Sequence, residues 1–299
     1  MTDFPLWAER LYNRPLALDQ FKNDVLCEFA QNRMFGRVPD KITSSNLDRI
    51  TVQGAAEDAV SVRDGVRLPY AIDGDIAIIP VRGSLVQKAS WVDAESGLVG
   101  YDRLVRQARA AFMDPSVAAM WMPLDSGGGE CAGMFAAAEA IASMAKAEGG
   151  KPIYAWLDER ASSAAYVLAS AADKVYGRRE VMGGSVAAII NVIDKSKAFE
   201  KAGLEPIVIR AEWADRKARG QAGEKIDADT ISKLTAIVDE TSEQIITFVA
   251  AMRGIKEGAL RDLRGDVFTG PDLLKHGLLD GIMSEADAWS ALKAEARAK

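Results

Sequence analysis

Two adjacent serines, Ser162 and Ser163, stand where a short strand pattern gives way to a small-residue helix, Ala164-Ala-Tyr-Val-Leu-Ala-Ser170. A serine at a helix start sits beside backbone N–H groups with no partner inside the helix, so negative charge on an attacked carbonyl oxygen can be stabilised there. Ala164 and Ala165 are small enough to let another backbone come close. The plainer reading is that Ser162 or Ser163 only caps the helix. Two glycine-bearing turns accompany the serines, Asp125-Ser-Gly-Gly-Gly129 and Gly183-Gly-Ser185, in which Ser126 and Ser185 read as turn or substrate-strand residues. His276 is the single histidine, so a serine or cysteine nucleophile needs another base unless His276 serves. For the same reason no His-based metal cluster or Cys/His zinc site can form, and neither metal nor cofactor is expected.

The elements that would hold these residues alternate. Apolar runs at 76–81, 117–124, 151–156 and 174–176 read as strands, and 101–112 and 134–147 read as helices. Strand-then-helix order predicts an α/β fold of repeated units, a mostly parallel sheet covered by helices, with functional loops at the carboxyl ends of strands. Both the glycine turn at 125–129 and the serine turn fall on that edge. Further strands are expected at 186–193 and 206–210, a short helix at 195–202, a loop at 88–100, and a long amphipathic helix at 229–252. At the start, 6–35 reads as helical pieces interrupted by Pro15, and 36–70 as a long connection. These patterns divide the chain into an N-terminal arm and connection (1–70), a main domain (71–283) and a helical tail (284–299).

Composition narrows the function. The chain of 299 residues is 48% hydrophobic and 27% charged, with a net charge of −6, which argues against a nucleic-acid binder. Cys27 and Cys131 lie far apart and read as buried thiols of a reducing compartment rather than a disulfide framework. No basic leader followed by an apolar core opens the sequence, and no apolar run of about 18 residues occurs, so no signal peptide or membrane anchor is expected and a cytosolic setting is.

Four stretches in order, Asp125-Ser-Gly-Gly-Gly129, Glu159-Arg-Ala-Ser-Ser-Ala-Ala-Tyr166, Gly183-Gly-Ser185 and Arg216-Lys-Ala-Arg-Gly220, resemble the signal peptide peptidase A family of serine peptidases, which share the ClpP/crotonase fold. Val267-Phe-Thr-Gly270 and His276-Gly-Leu-Leu-Asp-Gly281 resemble that family's closing motif, so the resemblance covers about residues 76 to 283. Glu9-Arg-Leu-Tyr-Asn-Arg-Pro15, with the missing leader, resembles the phage branch. The resemblance implies a serine endopeptidase with a Ser/Lys dyad, Ser163 as nucleophile and Lys217 as base. It also implies an oxyanion hole of backbone N–H groups from Ala164 and from Gly128 or Gly129. A lysine accepts a serine proton only when neutral, which requires its pKa to fall from about 10.4 through burial or neighbouring positive charge; Arg216 and Arg219 are near in sequence.

By the same resemblance the substrates are scaffold, capsid or portal proteins, including the chain itself, cleaved during head maturation inside an assembling procapsid in the host cytoplasm. The active form would be a homo-oligomer. Gly183, Gly184 and Ser185 read as a strand edge on which an extended peptide could pair, with small pockets near Ala164 and Ala165 favouring cleavage after small or modest apolar side chains. Two other functions use the same fold: a crotonase-like acyl-CoA enzyme, and a catalytically inactive scaffold or docking protein.

Overall fold

The computed structural model describes Tyr12, residues 14–20, Asn23, and residues 61–63, 65–89, 97–217 and 225–298. Strand β1 (Leu16–Leu18) is followed by a hairpin of β2 (Val62–Arg63) and β3 (Val66–Arg67), then by β4 (Ala71–Asp73), β5 (Ile76–Ile78), β6 (Val81–Arg82), β7 (Ser84–Val86) and β8 (Leu98–Gly100). Helix α1 (Tyr101–Met113) leads to β9 (Ala119–Ser126) and β10 (Gly128–Glu130), and α2 (Met134–Ala142) to β11 (Ile153–Ser162). After these come α3 (Ala164–Ser170), β12 (Lys174–Gly177), β13 (Met182–Gly184), α4 (Ser196–Lys201), α5 (Ala228–Arg253) and α6 (Glu257–Arg261). The last elements are β14 (Val267–Thr269), α7 (Gly270–Lys275), β15 (Gly281–Ile282) and α8 (Glu285–Arg297).

β11 is the organising strand. It runs parallel to β9 along one side, and on the other to β12 and then to β13, while β9 runs parallel to β5 and β6. Its opening run Ile153-Tyr-Ala-Trp-Leu157 is buried throughout, as a parallel strand covered on both faces requires. Side chains alternate between faces because the strand period is two. On β9, Met120, Met122 and Leu124 join the core formed with α1, α2 and α3, whereas Trp121 faces the other way. There Trp121 stacks on Trp156 and meets Trp289 of α8 edge-on at 5.3 Å, so the C-terminal helix closes the second face. The mixed α/β architecture with a mostly parallel sheet is the one expected.

A register shift between Leu157 and Ala161 lets β11 exchange its neighbour β12 for β13 and carries its end, with the serines, past the rest of the sheet. β9 and β10 are separated by Gly127 alone, and there the chain leaves the large sheet for a small one ordered β1-β10-β7-β8. The site therefore lies where two sheets diverge.

Several local expectations change. Leu16–Leu18 is a strand rather than a helical piece, because Pro15 ends any helix before it and two open edges receive it; Gln20 and Asn23 are helical. Since β1 lies in the same sheet as β10, that part of the N-terminal arm is built into the body, and the boundary near residue 70 does not separate it. The loop expected at 88–100 ends in β8, and the 125–129 turn yields β10. Residues 186–193 form no regular strand; one bridge joins Ile189 to Leu16. Residues 206–210 are also irregular, with Ile207 and Ile209 81% and 93% exposed, because no strand among the described residues pairs with them. Cys27, Arg219 and most of residues 1–60 lie outside the described residues.

Candidate active site

Ser163 sits between the end of β11 and the first residue of α3 with φ 56° and ψ −122°, a left-handed conformation that costs a non-glycine residue about 1–3 kcal/mol. Its surroundings hold it there. Ser163 N–H donates to the Gly184 carbonyl at 2.7 Å, and its own carbonyl accepts from Val167 N–H at 3.0 Å, starting the helix. The Tyr166 hydroxyl, fully buried, donates to the Leu278 carbonyl at 2.7 Å and ties α3 to the segment after α7. The Ser163 hydroxyl donates to the Ala187 carbonyl at 3.3 Å, and the residue is 1% exposed. Ser162 is buried on β11, and its hydroxyl has no hydrogen-bond partner among the described residues. The two serines, equivalent on paper, therefore differ: Ser163 holds the strained junction and Ser162 points into packing. Neither side chain accepts a capping hydrogen bond from α3.

The glycine turn is fastened by Ser126, whose hydroxyl donates to the Gly83 carbonyl at 2.6 Å and accepts from Gly128 N–H at 3.2 Å. Gly128 has φ +96°, and a methyl group built on it would lie 2.1 Å from the Ala17 oxygen and 3.1 Å from the Ala164 nitrogen. Glycine is needed for both reasons. With Asp19 N–H donating to the Gly127 carbonyl at 2.8 Å, the alternation of an antiparallel ladder makes Ala17 and Gly129 the hydrogen-bonded pair. Gly128 N–H is thus engaged by Ser126, and Gly129 is the glycine whose N–H faces the Ala17 carbonyl of β1. Gly128→Ala is expected to lose more than about 1 kcal/mol of stability, read as a lowered Tm, because it combines backbone strain with a clash.

The other candidate residues are placed less simply. Lys217 is exposed on a turn closed by its N–H on the Ala214 carbonyl at 3.0 Å, and its ammonium has no hydrogen-bond or ion-pair partner among the described residues. No hydrogen bond joins it to Ser163. Arg216 is exposed beside it. The arm that carries Lys217 also exposes Ile207, Ile209 and Trp213. The His276 ring packs on Phe268 at 5.0 Å, in keeping with a packing role. Burial pushes the Cys131 thiol up to about 12, which leaves little thiolate for nucleophilic work.

The edge expected to take a peptide is already filled at Gly183 and Gly184. β13 pairs with Ala161 and Ser162 on one side and with Phe268 and Val267 on the other, and Ser185 N–H donates to the Asp266 carbonyl at 2.7 Å. An edge that does receive a strand lies further on, at Ile189, which exchanges two 2.8 Å hydrogen bonds with Leu16. Sequence reasoning missed both this edge and Ser126 as the clamp of the glycine turn; the small residues of Ser185-Val-Ala-Ala188 were the available signal.

Among known proteins, the chain is 26% identical over 298 residues to capsid assembly protease C of Escherichia phage lambda, covering 98% of this chain and 66% of that protein. It is 27% identical over 223 residues to the head-tail preconnector protein GP5 of Enterobacteria phage P21, covering 75% of this chain and 44% of that one. It therefore spans less than two thirds of the length of these two relatives. A solved structure of an enoyl-CoA hydratase/isomerase family member overlaps it with a TM-score of 0.44 at 13% identity, over 79% of this chain and 74% of that one. The model of peptidase family S49 matches residues 145–299, a stretch that contains both Ser163 and Lys217. With more than half of its length matched, the chain belongs to peptidase family S49.

Proposed function

We propose that the chain is a serine endopeptidase in which Ser163 attacks the peptide carbonyl and Lys217 takes the serine proton. Negative charge on the carbonyl oxygen is held by the N–H groups of Gly129 and Ala164, an acyl-enzyme forms with release of the amine, and water then hydrolyses the ester. The observation that carries this reading is Ser163 itself. A non-glycine residue kept at φ 56° between a central strand and a helix, next to a glycine turn, is a strained arrangement retained where chemistry needs it. The likeness to a capsid assembly protease of phage lambda and a head-tail preconnector protein of phage P21 supports substrates among phage head proteins: scaffold, capsid or portal components, cleaved inside a procapsid in the host cytoplasm. Among the described residues no helix is long and apolar enough to cross a membrane.

Lys217 reaches a serine only if something brings them together. The exposed Ile207, Ile209 and Trp213 on the same arm support a homo-oligomer in which the arm of one copy packs on another and its lysine is desolvated there. Light scattering of the purified chain should give a multiple of 32.2 kDa, and Ile209→Asp with Trp213→Asp should lower both the mass and the cleavage rate. A fully active monomer would remove the oligomer from the reading. The function itself is tested by co-expressing the chain with phage scaffold and capsid proteins and following their fragments by gel and mass spectrometry. Intact substrates with the unaltered chain count against it.

A further inference from the structure

Arg14 to Asp19 thread a slot whose two walls are main-chain edges. On one wall β1 pairs antiparallel with the glycine strand, Leu16 opposite Glu130, Ala17 opposite Gly129 and Leu18 opposite Gly128. On the other, Leu16 is bonded in both directions to Ile189, two residues beyond the Ala187 carbonyl that receives the Ser163 hydroxyl. Leu16, Ala17 and Leu18 are 3%, 0% and 5% exposed. The Ala17 oxygen and the Ala164 nitrogen both lie within 3.1 Å of the same point above Gly128, so the Ala17 carbonyl stands beside the start of the serine helix.

Charged side chains latch both ends of this segment. The Arg14 guanidinium lies 2.9 Å from the buried carboxylate of Glu130, whose second oxygen accepts from Gln87 N–H at 2.9 Å. Asp19, wholly buried, lies 3.3 Å from Arg160 of β11. Beyond it, the side-chain amides of Asn23 and Asn191 bond each other at 2.6 and 3.2 Å. A strand added between two edges draws its affinity from main-chain hydrogen bonds and its selectivity from the side chains at its ends. In each latch the carboxylate is buried and the arginine partly exposed, and setting a wrong charge against either is costly, so each latch discriminates.

Resting on the peptidase reading above, we propose that this slot is the peptide channel and that Arg14 to Asp19 fill it as a substrate does. The channel selects a small residue between two apolar ones, with a basic residue three positions before the small one on Glu130 and an acidic residue two positions after it on Arg160. The chain thereby occludes its own site, which explains a nucleophile that is 1% exposed, and the segment must leave before another peptide enters.

The test uses the full chain carrying Ser163→Ala, so that binding is separated from hydrolysis, with Leu16→Asp and Leu18→Asp to expel the segment. A fluorescein-labelled peptide of sequence Arg-Pro-Leu-Ala-Leu-Asp-Gln is followed by anisotropy. The expelled chain should bind it at least about tenfold more tightly than the chain with Ser163→Ala alone, because the resident segment competes at high effective concentration. A peptide with lysine in place of the aspartate should bind at least about tenfold more weakly, and Arg160→Glu should invert the preference between the two peptides. Equal binding to both chains, or a preference that Arg160→Glu leaves unchanged, overturns the proposal. Should the doubly substituted chain not fold by circular dichroism, Asp19→Asn in the otherwise unaltered chain serves instead. Its Ser163 should react with a fluorophosphonate about tenfold faster than in the unaltered chain, and equal rates overturn the proposal. The two readings fail separately. Peptide binding with an unreactive Ser163 counts against the peptidase alone, and a reactive Ser163 without charge-selective binding counts against the channel alone.

Discussion

Ser163→Ala should lower the rate of peptide cleavage by about 10⁴-fold or more while leaving the fold and its thermal stability nearly unchanged. The chemical half of this expectation follows from losing the attacking hydroxyl, which the oxyanion donors cannot replace. The structural half follows from the geometry. Alanine suffers the same left-handed conformation as serine, and the one side-chain hydrogen bond lost is the 3.3 Å contact to the Ala187 carbonyl. Ser162→Ala is the informative control. Its hydroxyl is buried without a partner among the described residues, so removal relieves a desolvated polar group and should leave activity intact with stability unchanged or higher by up to about 1 kcal/mol. Cleavage measured on both purified variants, with melting curves, decides the matter. Activity surviving in Ser163→Ala, or lost in a folded Ser162→Ala, moves the nucleophile away from residue 163.

Lys217→Arg should be as inactive as Lys217→Ala, with a loss of about 10³-fold or more in each. Arginine preserves charge and length, so it would serve if residue 217 held a substrate carboxylate or a neighbouring subunit by charge. It fails as a base because its guanidinium keeps its proton at every working pH. The comparison therefore separates proton transfer from packing, and an unchanged oligomer mass in Lys217→Arg completes it. Lys225→Ala, at an exposed position beyond the same arm, should be tolerated. Full activity in Lys217→Arg would falsify the dyad and turn attention to Lys195, Lys197 or Lys201.

What the sequence determined by itself is what depends on near neighbours along the chain. The apolar run of β9, the strand that leads into Ser163, the helix α1 and the long helix α5 are local patterns of apolar residues, and each appears within a few residues of where the pattern placed it. The strand-turn-helix grammar likewise put the serine turn and the glycine turn at one end of the sheet. Pairing is a different quantity, because an apolar run carries no record of whether an edge is free to receive it. Val186 to Ile193 and Pro206 to Arg210 have strand composition but no ladder: among the described residues the first has a single backbone bridge, to Leu16, and the second pairs with no strand. Gly183 and Gly184 could not be seen in sequence to be closed off by Val267 to Thr269 from more than 80 residues away. The tertiary structure alone distinguishes the conformations of Ser162 and Ser163, since of the two it is Ser163, at the junction of β11 and α3, that stands at φ 56°. It alone, too, brought residues 14–19 between the glycine strand and Ile189, a contact spanning more than 100 residues that hydrogen bonding between distant edges creates and no local spacing encodes.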